Sequence, residues 1–501
     1  MGLNIGDLER VYRLKAKSPL RGSFIDRCQQ LVAERQERGS IPGLYRSRTD
    51  NLVRRRLNEF APLGQLSPSR PFEVCPVAAH MDQVYSHSGD IGDLLAALPV
   101  IRQLGGGELV LFPAPYTGFP MTVERVENLR PLLELQPYVK GVRWAAGPEG
   151  TNLDEWRNHY DPSRNLTDML AHTFGQPHPD REEPWLKIDW PERIARVVFA
   201  RCQRYRNPHV DWRQIYDEYA DHAVFVGTPE EHWDFQNEVG PVSYRYTPNY
   251  LDLARVVAAA DLVAVNQTSI RWLAEGFKIP VLVEVEPAIN NTHWQREAAF
   301  YLYGSGDIPA LAELENVAVR SVVQRAHGRT LITDDRLENI ARLVRSIRHL
   351  PGELAELGTY RGGSASVIAG CCPEKRLHLF DTWEGISEDD RLEGGHLRGE
   401  FAADFEEVRS FLELYNVEYF RGSFPNAAPA ADDDTRYAFI HLDADTYQSG
   451  LEYFLPRLVT GGVCVLDDNR CERCPGVELA VRHVCPDVEL QTGQHQAWFR
   501  K

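Results

Sequence analysis

The feature that most constrains the fold is a regular alternation of short apolar runs with amphipathic stretches. The first series runs from about residue 84 to 285 and contains the strand-like segments ELVLFP, VVFARC, HAVFVG, DLVAVN and PVLVEV. Segments with helical spacing of apolar residues lie between them, among them IGDLLAALPVIRQL and NYLDLARVVAAA. Strands that alternate with helices in this way predict parallel sheets covered by helices.

A second series begins near Leu331 with the helical segment RLENIARLVRSIRHL. ELAEL, RLHLF, VEYF, YAFIHL and VCVL then read as strands, and VELQTGQHQAWFRK reads as an antiparallel hairpin. We predict a boundary between the series at about 305–330, although no Gly/Ser-rich linker marks it. The 501 residues therefore divide into an arginine-rich helical extension (1–70), a first α/β region (71–325) and a second α/β domain (326–501).

Composition and charge exclude several classes of protein. With 43% hydrophobic and 25% charged residues the chain is typical of a globular protein, and no apolar run reaches the roughly 18 residues of a membrane span. The formal net charge of −17 argues against binding to nucleic acid, which requires a basic face, so small molecules are the expected ligands. The amino terminus lacks the apolar core of a signal peptide, and the nine scattered cysteines do not form a disulfide framework. These features predict a cytoplasmic protein with reduced thiols.

A Gly-rich turn follows the first strand of the second series, at the end of a parallel strand where such sheets bind ligands. In ELAELGTYRGGSAS, Glu356 ends the strand, and Gly358, Gly362 and Gly363 let the backbone approach a ligand closely. The next strand, RLHLFDTWEG, ends in Asp381, which suits an acid that binds the ribose hydroxyls of a nucleoside. This spacing is typical of nucleotide-binding sheets, and it leaves a dinucleotide and S-adenosylmethionine as alternatives.

Paired acids end two later strands. Asp443 follows YAFIHL, and Asp467 and Asp468 follow VCVL. If these strands are parallel neighbours, the three carboxylates emerge at one edge, where they repel one another unless a cation or protons are bound. Oxygen ligands suit Mg²⁺ or another hard divalent cation. The alternative is that the acids are helix N-caps and loop residues, but the matched strand ends favour a metal site. Asp445 and His441 are left unassigned, with packing favoured over catalysis for His441.

The second series resembles the macrocin O-methyltransferase (TylF-type) family. The resemblance is carried by GELAELGTYRGGSAS, LFDTWEGI, YFRGSFPNAAP, IHLDADTYQSGLEYFLPRLVTGGVCVLDDN and CPGVELAV, in the family's order from about Leu331 to Lys501. It implies a class I methyltransferase fold with S-adenosylmethionine as methyl donor. It also implies Mg²⁺ or another divalent cation, and a sugar hydroxyl as the methyl acceptor.

The same resemblance implies two sets of site residues. The cofactor-binding set is Glu356, Gly358, Tyr360, Gly362, Gly363, Ser364, Asp381 and Thr382. The metal-binding set is Asp443, Asp467 and Asp468, and Asp443 also acts as the base that removes the acceptor's proton. The chain departs from the family where Asn469 follows the acidic pair and RCERC is inserted before the next helix.

The inserted segment raises the question of a structural zinc site. Cys471, Cys474, His483 and Cys485 include a C-x-x-C pair. Structural zinc normally takes two well-separated ligand pairs, and the spacing of His483 and Cys485 is unusual for one. Reduced, partly buried thiols are therefore favoured over a zinc site.

The first series contains the turn SHSGDIGDLLAALPVIRQL, which places Asp93 at the start of a helix, where it could simply be a cap. With NLRPLLELQPYVKGVRW, HAVFVGTPEEH and NYLDLARVVAAADLVAVNQTSIRWLAEGFKIPVLVEV, it resembles glycosyltransferase family 9, over about 84–290. The resemblance implies a GT-B architecture of two Rossmann-like domains, with Asp93 as the base that deprotonates the acceptor. It also implies that Thr268 and Ser269 meet the donor phosphates at a helix N-terminus.

Two features near the implied donor site are specific to this chain. The family usually has Asp-Thr-Gly where this chain has Asn266-Gln267-Thr268-Ser269. Arg201, Arg204 and Arg206 follow the strand VVFA, where arginine forks suit a diphosphate, but scattered surface arginines are an equal alternative.

The expected fold is therefore a GT-B-like pair of Rossmann-like domains followed by a class I methyltransferase domain. The leading functional hypothesis is a bifunctional enzyme that transfers a sugar from a nucleotide-sugar donor and O-methylates a sugar hydroxyl of a small-molecule or glycan acceptor. A second hypothesis makes the first region an inactive binding or assembly module. A third, a dinucleotide-dependent oxidoreductase, leaves the convergent acids unexplained. The sequence leaves the oligomeric state open, a homo-oligomer included.

Overall fold

The computed structural model describes residues 83–114, 120–289, 291–386, 398–429, 434–444, 447–470, 476–493 and 495–501. The predicted extension 1–70 lies outside these residues. The chain divides into two compact units, Met1–Glu127 with Lys140–Pro179, and Asn128–Val139 with Asp180–Lys501. Among the helices described, none combines the length and the apolar character that a bilayer-crossing helix requires.

The first sheet has four strands in the order β3-β2-β1-β4, with β1 parallel to β2 and to β4. The strands are β1 (Val84–His87), β2 (Gly107–Leu111), β3 (Val139–Trp144) and β4 (Thr151–Asn152). The helices of this part are α1 (Ile91–Gln103), α2 (Val123–Leu133) and α3 (Leu166–Thr173), with a 3₁₀ helix at Leu153–His159. Leu94, Leu95 and Leu98 of α1 are completely buried, so the helix that follows the β1 turn packs into the core.

The second sheet has six strands in the order β10-β9-β8-β5-β6-β7, and every neighbouring pair is parallel. The strands are β5 (Val197–Ala200), β6 (Ala223–Phe225), β7 (Ser243–Tyr244), β8 (Leu262–Asn266), β9 (Val281–Glu284) and β10 (Ala299–Leu302). The helices are α4 (Trp212–Tyr219), α5 (Pro229–Glu238), α6 (Tyr250–Ala258) and α7 (Ser269–Phe277). Strands β5, β8 and β9 are buried along their whole length, which explains their continuous apolar sequences.

The third sheet has seven strands in the order β13-β12-β11-β14-β15-β17-β16. The strands are β11 (Glu353–Leu357), β12 (Leu377–Asp381), β13 (Val417–Arg421), β14 (Tyr437–Leu442), β15 (Leu458–Leu466), β16 (Gln491–Gly493) and β17 (Gln496–Arg500). Strands β11–β15 pair in parallel, whereas β17 is antiparallel to β15 and to β16. The predicted hairpin and the predicted parallel pairing of YAFIHL with VCVL are confirmed. This strand order is that of a class I methyltransferase sheet, and the expected fold class is confirmed.

Six helices accompany the third sheet: α8 (Leu311–Ala326), α9 (Asp334–Ser346), α10 (Gly363–Cys371), α11 (Phe405–Phe411), α12 (Tyr447–Phe454) and α13 (Gly476–Val484). Helix α8 places Val319 and Val323 in the same buried core as Ile340 and Ile368. A fragment that begins at the predicted boundary of 326 would therefore lose part of this core. The three-domain division by residue number stays a prediction.

A buried carboxylate joins the second and third sheets within the second unit. We call it, with its four arginines, the Asp261 cluster: Asp261, Arg193, Arg196, Arg345 and Arg348. Each arginine has a guanidinium nitrogen 2.9–3.0 Å from an oxygen of Asp261. Burial raises the pKa of this carboxyl, but hydrogen bonding by Arg193 and the charges of Arg345 and Arg348 outweigh burial and hold the pKa below its ordinary value. The cluster fixes the end of α9 to the segment before β5.

Replacing Asp261 by asparagine is expected to destabilise the second unit by about 3–5 kcal/mol, because it removes the buried anion that four arginines share. Arg196 and Arg348 keep Glu315 and Glu374 as partners, whereas Arg193 and Arg345 lose the anion that pairs with them here. The change should appear as a lower urea midpoint of the unfolding transition of the full chain. Asp217→Asn is the matched control, since Asp217 forms an exposed pair with Arg213 whose loss should cost at most about 1 kcal/mol. Equal midpoints for the two variants would contradict a stabilising role of the cluster.

Candidate active sites

The carboxyl ends of β11, β14 and β15 meet at one edge of the third sheet. The strand register places Glu356 beside His441 and Leu442 beside Leu466. Asp467 follows directly, and Glu356, His441 and Asp467 are all completely buried. Three ionisable side chains from three strands therefore share one buried region, as expected where parallel strands end.

His441 bridges two of the buried carboxylates. Its Nδ1 lies 3.0 Å from Glu356 Oε1, and its Nε2 lies 3.4 Å from Asp467 Oδ2. Burial would lower the pKa of His441, but the hydrogen bonds to Asp467 and Glu356 raise it to about 10. The ring is therefore an imidazolium at neutral pH. The sequence left His441 unassigned and favoured packing over catalysis; the side chain is buried, and as a cation it links Glu356 to Asp467.

Asp467 has a second cationic partner that the sequence did not reveal. Arg336 Nη1, from the first turn of α9, lies 2.5 Å from Asp467 Oδ1 and 3.4 Å from Asp468 Oδ1. Burial raises the pKa of Asp467, but His441 and Arg336 lower it below its ordinary value. Asp467 is thus held as an anion in a fixed orientation. Nothing in the helical pattern of RLENIARLVRSIRHL distinguishes Arg336 from the other arginines of that segment.

Asp443 completes the acidic group. Ligand atoms of His441, Asp443 and Asp467 lie within 4.8 Å of one another. Burial, followed by the negative charge of Asp467, raises the pKa of Asp443 well above its ordinary value. An anionic Asp443 therefore requires an additional positive charge nearby. Asp468 lies at the rim of the group, with 35% of its side chain exposed.

The predicted metal ligands fit a hard divalent cation. Both ring nitrogens of His441 already face carboxylates, which leaves the oxygens of Asp443 and Asp467 as the donors of this group. Asp468 is not among the residues whose ligand atoms lie within 4.8 Å of one another, and its place as a ligand stays a prediction. Carboxylate oxygens are the donors that Mg²⁺ prefers, and a cation bound here would offset both the burial and the charge of Asp467 that raise the pKa of Asp443. Arg336 already balances part of the charge on Asp467.

The Gly-rich turn lies directly against the acidic group. Gly358 has φ +86°, and a Cβ there would lie 2.0 Å from the backbone oxygen of Asp443, so only glycine fits. The backbone N–H of Asp443 donates to the carbonyl of Leu357 at 2.9 Å. Gly362 also has φ +86°, and it forms the N-cap of α10, so the helix begins at the turn. The predicted cofactor turn and the predicted metal ligands therefore occupy one continuous region.

Asp381 organises this turn. Its Oδ2 accepts hydrogen bonds from the backbone N–H groups of Thr359 and Tyr360 at 2.7 and 3.0 Å, and its Oδ1 accepts one from Trp383 at 2.7 Å. A carboxylate offers about four acceptor positions, so one remains on Oδ1 and a ribose hydroxyl is a compatible partner. Two further predicted residues lie near this turn in the sequence. Ser364 is buried in the first turn of α10, and the hydroxyl of Thr382 accepts a hydrogen bond from the N–H of Glu384 at 3.1 Å.

The turn offers unused polar atoms of the kind that a cofactor would satisfy. Glu356 Oε2 and Thr359 Oγ1 are buried without a hydrogen-bond partner in the described part of the chain. Buried polar atoms normally have partners, because an unsatisfied group costs free energy. Burial also raises the pKa of Glu356, despite the opposing effect of His441. The amino and hydroxyl groups of S-adenosylmethionine would supply the missing partners, so the residues fit this cofactor.

The four candidate zinc ligands lie partly inside and partly outside the described residues. Cys471 and Cys474 lie outside the described residues. Cys485 is a buried thiol without a disulfide, and His483 lies in the last turn of α13. Burial raises the pKa of Cys485, so this thiol is held in its protonated, unreactive form.

In the first unit, Asp93 lies in the first turn of α1, as predicted from the Gly-Asp turn. Its Oδ2 is 3.6 Å from Arg157 Nη2, and 19% of its side chain remains exposed. The hydroxyl of Ser88 donates to Asp154, whose Oδ1 lies 4.0 Å from Arg157 Nε. At Gly89 a Cβ would lie 2.9 Å from the Cβ of Asp93, so a side chain here would displace Asp93. Asp154 and Arg157 belong to the 3₁₀ helix and were not foreseen from the sequence.

In the second sheet, the NQTS turn consists of two buried residues followed by two half-buried residues. Asn266 Nδ2 donates to the carbonyl of Arg204 at 2.6 Å, and Gln267 Nε2 donates to the carbonyl of Ile289 at 2.7 Å. Thr268 is the N-cap of α7, and the hydroxyl of Ser269 lies 2.8 Å from that of Tyr250. The first two residues therefore tie loops together, and Thr268 and Ser269 stand at the helix N-terminus as predicted.

The three arginines after β5 differ in their surroundings. Arg201 is buried and forms a two-point ion pair with Glu284 at 2.8 and 3.0 Å. Arg206 is buried against Glu238 at 2.6 Å. Arg204 is exposed. Of the three, Arg204 alone has the exposure that a donor phosphate contact requires, and its role stays a prediction.

Known proteins resemble parts of this chain. Residues 319–485 match the family model described as Macrocin-O-methyltransferase (TylF). The 8-demethyl-8-(2,3-dimethoxy-alpha-L-rhamnosyl)-tetracenomycin-C 4'-O-methyltransferase of Streptomyces olivaceus is 30% identical over 168 residues, which cover 29% of this chain and 64% of that protein. The demethyldecarbamoylnovobiocin O-methyltransferase of Streptomyces niveus is 31% identical over 179 residues, which cover 31% of this chain and 67% of that protein. The match thus spans less than two thirds of the first relative.

A solved structure of a glycosyl transferase family 9 protein from Veillonella parvula also matches. The match covers 44% of this chain and 84% of that protein's chain, at 12% identity and a TM-score of 0.33. The assignment of the chain rests instead on its carboxy-terminal part. The third sheet, the Gly-rich turn and the acidic strand ends lie largely within the matched residues. Through residues 319–485, this chain belongs to the macrocin O-methyltransferase (TylF) family.

Proposed function

We propose that the carboxy-terminal domain transfers a methyl group from S-adenosylmethionine to a hydroxyl of a sugar-containing acceptor, with the help of a divalent cation. The observation that carries the proposal is the direct contact between the Gly358 turn and Asp443, which joins a cofactor turn to the acidic group. The name of the Streptomyces olivaceus relative, a 4'-O-methyltransferase of a rhamnosyl compound, supports a sugar as the acceptor class.

Each group of residues has a distinct task in this proposal. Glu356 and Asp381 bind the amino-acid and ribose groups of the cofactor, and the turn amides orient it. Asp443, Asp467 and Asp468 would hold the cation, which would lower the pKa of the acceptor hydroxyl. Asp443 would accept the proton of that hydroxyl. When bound, S-adenosylmethionine would supply the methyl group, its C–S bond breaking as the C–O bond to the acceptor forms.

His441 and Arg336 act through other residues. His441 links Glu356 to Asp467, and Arg336 holds Asp467 from the opposite side. Together they keep Asp467 ionised without using the oxygens of Asp443. This arrangement leaves Asp443 as the acid whose charge state responds to the bound cation.

For the first region we propose glycosyl transfer from a nucleotide sugar, which makes the chain bifunctional. The observation that favours it is the placement of Asp93 at a turn that needs Gly89 for close packing, with part of the carboxylate accessible. Thr268 and Ser269 at the N-terminus of α7 would meet the donor phosphates. An inactive binding or assembly module is the alternative, and the structural use of Asn266 and Gln267 in place of the family's usual turn favours it.

Removal of divalent cations by EDTA is expected to abolish methyl transfer, and added Mg²⁺ should restore it. The measurement is the rate of S-adenosylhomocysteine formation by the full chain with a panel of glycosylated acceptors. Mn²⁺ binding, followed by electron paramagnetic resonance without any acceptor, gives a second readout of the site. Undiminished methyl transfer in EDTA would reject the metal site, and Asp443, Asp467 and Asp468 would then be helix caps or loop residues.

A further inference from the structure

A cavity of about 420 Å³ lies at the edge of the third sheet opposite the acidic site. Its polar and aromatic lining residues include Trp190, Glu353, Arg376, His378, Glu418 and Arg436. Apart from Trp190, they lie at the amino-terminal ends of β11 to β14, whereas the site described above lies at the carboxyl ends. Five residues of β11 separate the two edges, roughly 13–17 Å, so this cavity is not part of that site.

The wall of the cavity that carries Trp190 comes from another part of the chain. Trp190 lies in the segment before β5, although the remaining lining belongs to the third sheet. The Asp261 cluster begins three residues later, at Arg193, and ties this segment to Arg345 and Arg348 at the end of α9. The region before the methyltransferase domain therefore supplies one wall of the cavity.

Trp190 is held in place although its side chain is exposed. The indole is 57% exposed, and its backbone has φ +56°, which a non-glycine residue rarely adopts. Arg255 of α6 fixes the chain on both sides of Trp190: its Nε donates to the carbonyl of Asp189 at 3.1 Å, and its carbonyl accepts from the N–H of Glu192 at 3.0 Å. An exposed aromatic ring on a strained and doubly anchored backbone is more typical of a ligand contact than of packing.

The polar lining of the cavity is balanced in charge. Arg376 Nη1 lies 3.1 Å from Glu418 Oε2, its backbone N–H donates to Glu353 Oε2 at 2.6 Å, and its guanidinium carbon is 5.3 Å from the centre of the Trp190 ring. Arg436 adds a second cation, so the two arginines match the two carboxylates, and His378 Nε2 lies 3.6 Å from Glu418 Oε2. A phosphate bound here would be repelled by the two carboxylates. A neutral ring with many hydroxyl groups could donate to the glutamates and accept from the arginines, while its C–H face covers the indole.

We infer that this cavity binds a neutral pyranose unit of a saccharide, remote from the methyl-transfer site. The choice of a saccharide rests on the proposed function, in which the acceptor contains sugars. The cavity would hold a distal unit of the acceptor, with Trp190 as the stacking platform and Glu418 and Arg436 as hydrogen-bonding partners. Methyl transfer to extended acceptors then gains binding free energy that single glycosides lack.

The test is saturation-transfer difference NMR of the full chain, without S-adenosylmethionine or metal. The probes are the methyl glycosides of glucose, mannose, galactose and rhamnose, and uridine monophosphate is the nucleotide control. Wild type should transfer saturation to the pyranose ring protons. Trp190→Ala should weaken binding roughly three- to tenfold, the loss expected for one aromatic contact. Trp190→Tyr should retain most of the binding.

Matched variants separate a site from general surface contact. Trp233 is 66% exposed and lies outside the cavity lining, so Trp233→Ala should bind the glycosides as wild type does. Arg436→Gln changes an exposed lining residue and should weaken binding without affecting the fold. Absent glycoside binding, equal binding by Trp190→Ala and wild type, or tighter Trp190-dependent binding of uridine monophosphate would each overturn the inference.

These outcomes are independent of the proposed methyl transfer. Trp190-dependent glycoside binding in a chain that methylates no sugar would leave the cavity site standing and reject the proposed function. Methyl transfer to a sugar without any Trp190-dependent glycoside binding would support the proposed function and reject the cavity site.

Discussion

Replacing Asp443 by asparagine is expected to lower the rate of methyl transfer by roughly 10²–10⁴-fold, the range of a general base. The amide keeps the size of the side chain but cannot take up the acceptor's proton. Added Mg²⁺ should not restore the rate, because more cation does not replace a proton acceptor. The measurement is the initial rate of S-adenosylhomocysteine formation with an acceptor that the wild-type chain methylates.

Two further variants make this result specific. Asp468→Asn removes a partly exposed carboxylate and leaves the Asp467 ion pair with Arg336 intact, so extra Mg²⁺ should recover part of its activity. Asp404→Asn changes an exposed N-cap of α11, where asparagine caps equally well, and should be silent. If Asp443→Asn behaved like Asp404→Asn, Asp443 would be no more than a structural residue.

Replacing Asp93 by asparagine should reduce sugar transfer by roughly 10²–10⁴-fold if the first region is a glycosyltransferase with Asp93 as its base. The N-cap of α1 is Asp90, so asparagine at position 93 leaves the cap unchanged and keeps the size of the side chain beside Arg157; the fold should not change. The measurement is the release of nucleotide from a panel of nucleotide sugars in the presence of acceptor, with thermal unfolding as a check on structure.

Glu124→Gln is the matched control for this prediction. Glu124 is an exposed acid in the first turn of α2, so it has the same relation to a helix N-terminus without a place at the turn after β1. Normal transfer by Glu124→Gln and a large loss in Asp93→Asn would support the base. Unchanged transfer in Asp93→Asn would restrict Asp93 to a structural role, and absent nucleotide release by wild type would favour the binding-module alternative.

Local patterns in the sequence predicted the elements that carry the site. The runs YAFIHL and VCVL became neighbouring parallel strands, so the acids that follow them meet at one edge. The glycines after β11 became a turn that packs against Asp443. These predictions succeeded because strand ends and tight turns depend on residues close together in the sequence.

Contacts between distant segments could not be read from the sequence. Arg336 and Asp467 are 131 residues apart, and Arg348 and Asp261 are 87 apart. An amphipathic helix does not indicate which of its arginines will face a carboxylate on another element. His441 was underestimated for the same reason, because its charge depends on two buried partners that β11 and β15 bring to it.

Calorimetric titration of the metal-free full chain with S-adenosylmethionine tests the central claim most directly, because it requires neither an acceptor nor a cation. The account predicts saturable binding at one site per chain that persists in EDTA. It also predicts that Glu356→Gln weakens this binding, since that change alters a buried carboxylate at the turn. Tight binding of NAD together with no binding of S-adenosylmethionine would contradict the account.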